Sequence, residues 1–70
     1  MMPLSLSAAG EELIIKRIGG TPDVKKHLED MGFTVGESVN IITALGGNII
    51  VKIKESRVAI SRELALKIMV

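Results

Sequence analysis

The sequence predicts a small, mainly β domain with one or two short helices, closed into a β-barrel. Three observations carry that prediction. Hydrophobic residues make up 47% of the 70-residue chain, yet Phe33 is its only aromatic residue. A core built from Ile, Val, Leu and Met favours strands, because β-branched side chains fit a pleated surface. Several short alternating segments, separated by Gly46-Gly47 and similar turn signals, leave room for one well-marked helix only. In so short a chain, closure of the sheet removes edges that would otherwise invite aggregation.

The first strand signal is residues 12–18, entered after a turn at Gly10 and ended by Gly19-Gly20. A helix follows over residues 21–32. Thr21 suits the N-cap, Pro22 the first helical position, and Asp23 the positive end of the helix dipole. Val24, Leu28 and Met31 recur at i, i+4 and i+7 as one apolar stripe, and Gly32 provides the stop.

Next comes a hairpin across Gly46-Gly47. Val39, Ile41 and Thr43 alternate on one arm, and Ile49, Val51 and Ile53 on the other. A two-residue turn with regular pairing would set Lys52 opposite Ile41 and mix the faces. A three-residue loop instead sets Val51 opposite Ile41, Ile49 opposite Thr43, and Ile42 opposite Ile50 on the outer face. One of the two glycines is expected in the left-handed region. Residues 57–60 form a further strand, and Ser61 caps a short helix reaching about Lys67, with Leu64, Ala65 and Ile68 inward. Met69-Val70 adds a last extended pair.

These residues form one domain, 1–70, that resembles the FeoA family of ferrous iron transport proteins. The resemblance starts at Pro3-Leu4-Ser5, Gly10 and Ile18-Gly19-Gly20. It centres on Leu28-Glu29-Asp30-Met31-Gly32-Phe33-Thr34-Val35-Gly36-Glu37. It closes on Val58-Ala59-Ile60-Ser61-Arg62-Glu63-Leu64-Ala65-Leu66-Lys67-Ile68-Met69-Val70. Val35 stands where the family often has proline, and Ala44-Leu45 replaces a more proline-rich hairpin tip. The resemblance implies an SH3-like small β-barrel and a cytoplasmic accessory role. Its partner would be FeoB, the membrane transporter for ferrous iron with a cytoplasmic GTP-binding domain. The structural motif is Leu28, Met31, Gly32, Phe33 and Gly36, which specify the helix stop and the entry to the next strand.

Chemistry-bearing residues are sparse. There is no cysteine, hence no disulfide or thiolate site. His27, the single histidine, could join Asp23 and Asp30 in a weak metal site, but a functional iron centre needs more convergent ligands. No cofactor is expected. The serines lack an oriented base, and neither glycine pair has the spacing or lysine of a phosphate loop, so an enzyme is not expected. Net charge is +1, with nine basic and eight acidic residues interleaved. A patch of Lys16, Arg17, Lys25, Lys26, Lys52 and Lys54 would suit a small-barrel nucleic-acid-binding module, but stacking needs aromatic residues and Phe33 belongs to the core. A second alternative is a repressor-type SH3-like regulatory domain. No segment approaches a membrane span, and the first nine residues lack the features of a signal peptide.

The candidate binding surface is Ile42 and Ile50 with loop residues Ala44, Leu45, Gly46, Gly47 and Asn48, helped by Lys25 and Lys26. Ile14, Ile42 and Ile50 are covered either by Leu4, Leu6 or the last helix, or by a partner. Left uncovered, they would favour docking or weak self-association.

Overall fold

The computed structural model describes residues 1–70. The elements in chain order are a 3-10 turn at Leu4–Leu6, β1 (Glu12–Ile14), β2 (Arg17–Ile18), α1 (Pro22–Asp30), β3 (Ser38–Leu45), β4 (Asn48–Ile53), β5 (Ser56–Ser61), α2 (Arg62–Ala65) and β6 (Ile68–Met69). They form a four-stranded antiparallel sheet, in order β1-β3-β4-β5, and a two-stranded sheet of β2 and β6.

The expected strand over residues 12–18 is one segment bent at Ile15-Lys16. The Ile15 N–H donates to the Glu37 carbonyl at 3.0 Å, and the Lys16 N–H to the Met69 carbonyl at 2.8 Å. The backbone thereby leaves β3 and joins β6, and the fully buried Ile15 side chain anchors the bend. The expected full closure is not found: the strands make two sheets, and β5 pairs with β4 alone. Ser61 explains why β5 goes no further. It is the last residue of that strand and the N-cap of α2, its Oγ accepting from the Leu64 N–H at 3.2 Å.

The helix α1 begins and ends as its residues require. Thr21 Oγ1 accepts from the Val24 N–H at 3.3 Å. At the other end the Gly32 N–H donates to the Glu29 carbonyl and the Phe33 N–H to the Leu28 carbonyl, both at 2.9 Å. These are the two bonds of a Schellman cap, which needs a left-handed residue at Gly32, where φ is +102°. The cap also brings Phe33 back onto Leu28. Both are fully buried, while Val24 and Met31 pack partly buried against the same core.

All 13 buried residues are apolar. The largest are Phe33, Leu4, Ile15, Leu28, Ile53 and Ile68, drawn from both ends of the chain. Each contributes about 1.5–3 kcal/mol by leaving water. Leu4 reaches the core because the flanking backbone is pinned. Met2 and Val70 exchange N–H···O bonds at 3.0 and 2.8 Å, and Pro3 bridges to Met69.

The β3–β4 hairpin corrects the expected register at its tip. Ile41 does face Val51, but a two-residue Gly46-Gly47 turn closes the hairpin, and Leu45 faces Asn48. A β-bulge at Ile42 reconciles the two, absorbing one residue of β3. Ile49 therefore faces Ala44 and Ile50 faces Thr43, so Ile42 has no direct partner. Gly46 takes the left-handed conformation, φ +61°, while Gly47 does not, the φ pattern of a type II′ turn.

Candidate docking surface

The hairpin tip is exposed but not loose. On one side the Gly10 N–H donates to the Ile41 carbonyl at 2.9 Å, just before the bulge. On the other, Asn48 pairs with Ser61, and the Arg62 N–H donates to the Gly47 carbonyl at 3.1 Å. The start of α2 thus clamps the turn. On this held frame Leu45 is 71% exposed and Ile42 38% exposed, with Ala44, Gly46, Gly47 and Asn48 also open to solvent. A leucine displayed on a braced turn has little backbone freedom to lose on binding, which favours recognition.

Other expected members of the surface are placed differently. Ile50 is half-buried, between Thr43 on β3 and Ala59 on β5. Lys25 and Lys26 are exposed on α1, which makes no extensive contact with β3 or β4. Its C-terminal cap lies against Ile53, about 17 Å of extended chain from the Gly46-Gly47 turn. The packing does not join these lysines to the tip. Ile14, 47% exposed, stands opposite Ser38 at the other end of β3. Leu4 lies in the core and Leu6 is exposed.

Beside the tip, the outer face of the sheet is polar. Glu12, Asn40, Lys52 and Arg57 form one row across four strands. A shallow groove of about 220 Å³ is lined by Glu12, Glu37, Ser38, Asn40, Lys52 and Lys54. Its size and wholly polar walls differ from a small-molecule pocket, which is commonly larger and mostly apolar. His27 is exposed on α1, and neither there nor elsewhere do three or more metal-ligating side chains converge. Phe33, as expected, is fully buried, so the surface displays no aromatic ring. Sequence reasoning expected a bulge at one of the two glycines of a three-residue loop and missed its place at Ile42; the only signal for it was the mismatch between the Gly-Gly turn and the alternation of Ile41 with Val51.

The mainly β architecture, with an exposed hairpin held at both sides, defines a class, that of small SH3-like domains. The FeoA domain family model matches residues 2–70, and the chain belongs to the FeoA family. A candidate Fe(2+) transport protein A of Methanocaldococcus jannaschii is 39% identical over 70 residues, all of this chain and 85% of that one. The crystal structure of an iron uptake regulatory protein (FeoA) superposes with a TM-score of 0.88 at 30% identity, over 96% of this chain and 89% of that one. The zinc complex of Stenotrophomonas maltophilia FeoA, a prokaryotic SH3 domain protein, superposes with a TM-score of 0.84, over 99% of this chain and 88% of that one. At 19% identity that likeness speaks for the fold.

Proposed function

We propose that this protein is a cytoplasmic accessory factor of ferrous iron uptake that acts by docking on the cytoplasmic part of FeoB. Family membership supplies the transport context. The observation that carries the docking mode is Leu45, 71% exposed on a turn that the Gly47–Arg62 bond holds in place. Regulation follows if the tip binds one conformation of the transporter better than another, because a ligand shifts an equilibrium only by its differential affinity. The protein contributes contacts rather than catalysis. No helix is long and apolar enough to cross a membrane, which is compatible with a factor that meets the transporter from one side.

The interface is centred on Leu45, Ile42 and Ala44, with Gly46, Gly47 and Asn48 shaping the turn. Ile50 supports it from the sheet. Lys25 and Lys26 would take part only if the partner spans from the hairpin to α1. The test is the double variant Ile42→Asp/Leu45→Asp, measured by calorimetric titration with the cytoplasmic part of FeoB. Both positions are exposed, so the urea midpoint is expected to stay within about 0.5 kcal/mol of the parent. Affinity is expected to fall by about tenfold or more, as when an anchor of an interface is lost. Unchanged affinity in a folded double variant rules out the tip as the docking surface.

A further inference from the structure

The outer edge of β5 is a second surface, separate from the hairpin tip and independent of which transporter component meets that tip. β5 ends the four-stranded sheet, and its register with β4 decides which backbone groups lie open. Ile53 and Ser56 flank the two-residue turn Lys54-Glu55, so they form a hydrogen-bonded pair. Alternation then makes Val51–Val58 a bonded pair and leaves Lys52–Arg57 and Ile50–Ala59 as non-bonded pairs. The N–H and C=O groups of Arg57 and Ala59 therefore point away from β4. No other segment of the chain bonds to them, and both residues are exposed.

The outer face beside the middle of this edge is cationic, at Lys52 and Arg57. Lys52 and Arg57 stand directly opposite each other, an arrangement that like charges disfavour. Across residues 48–61 the only acid is Glu55, in the turn, against Lys52, Lys54 and Arg57. Glu12 and Glu37 lie on the far wall of the groove, towards β1 rather than β5. A cationic edge resists pairing with its own copy, since both strands would bring the same charges together. It remains open to a strand of opposite charge. On the inner face, the half-buried Val58 packs against the core beside the buried Ile60 and offers an apolar neighbour.

We infer that β5 accepts an added β-strand from an acidic polypeptide segment, whose acidic and apolar residues alternate. The acidic side chains would lie on the outer face beside Arg57 and Lys52, and the apolar ones on the inner face beside Val58. The backbone of the added strand would close the open groups of Arg57 and Ala59, as in other cases of strand addition.

Amide hydrogen exchange tests this residue by residue, with a blocked decapeptide of alternating glutamate and valine as the probe. Saturation is expected to slow exchange of the Arg57 and Ala59 amides by about tenfold or more, and to leave Val58, already bonded to β4, nearly unchanged. A lysine-for-glutamate peptide is expected to give no protection. Lys52→Glu/Arg57→Glu, both exposed changes, is expected to reverse that preference. Ala59→Pro removes one edge donor outside the β4 ladder and is expected to weaken binding of the acidic peptide. Equal protection by both peptides, or by neither, overturns the inference. So does protection that grows with protein concentration alone, which would mean that a second copy covers the edge.

Discussion

The two ends of β4 treat similar residues in opposite ways. At Ile53 the strand is sealed: the Schellman cap folds Phe33 back onto Leu28, and all three side chains are withdrawn from water. At Asn48, one short strand away, Leu45 and Ile42 face solvent on a turn held by backbone bonds alone. Aliphatic character therefore does not decide a residue's role here; what lies opposite it does. At the sealed end apolar groups meet each other and contribute stability. At the open end the bulge leaves Ile42 without a partner, and the same chemistry is available for recognition.

The comparison can be broken most severely at its sealed end. Phe33→Ala removes the largest core side chain and is expected to cost about 3–5 kcal/mol. Total stabilities of about 5–15 kcal/mol are usual for a domain, and one this small sits low in that range. Urea denaturation followed by circular dichroism should show most of the cooperative transition lost. Retention of a near-parental midpoint would mean that the core does not depend on the helix cap.

Glycine substitutions sharpen the contrast at intermediate cost. In Gly32→Ala the new Cβ would meet Ile53 Cγ2 at 3.8 Å, an ordinary contact. The expected loss of about 1–2 kcal/mol is therefore conformational, arising from φ +102°. Gly47→Ala at the open end has free space and no left-handed φ. Its effect should lie within about 0.5 kcal/mol. Comparable thermal shifts for the two variants would contradict the assignment of strain to Gly32. One substitution is expected to bring a gain. Lys54 has φ +55° in the β4–β5 turn, the only non-glycine residue with positive φ. Lys54→Gly should relieve up to about 1 kcal/mol of that strain, seen as a raised urea midpoint.

The sealed end was more legible in the sequence than the open one. Thr21, Pro22 and Gly32 mark the limits of α1 through local backbone chemistry, and each does what its type requires. The alternation of Val39, Ile41, Val51 and Ile53 gave the buried face of β3 and β4 correctly, because a half-buried sheet imposes that period. Ile42 could not be placed by the same rule. The turn demanded one register and the core another, and the structure satisfies both with a bulge that no residue type announces. Closure was likewise beyond local reading. The bend at Ile15-Lys16 depends on partners at Glu37 and Met69, more than 20 and 50 residues away in the chain. Of the residues proposed for the surface, Leu45 and its neighbours Ala44, Gly46, Gly47 and Asn48 are exposed together at the hairpin tip. Ile50 and the α1 lysines did not join them, since strand order and helix position are properties of the whole chain.

The measurement that tests the docking claim most directly is an NMR titration of isotopically labelled protein with the cytoplasmic part of FeoB, with and without guanine nucleotide. The account predicts saturable shifts concentrated at Ile42, Ala44, Leu45 and the Gly46-Gly47 turn, with a midpoint that moves when nucleotide is added. Shifts confined to other faces, or none at saturating partner, would contradict it.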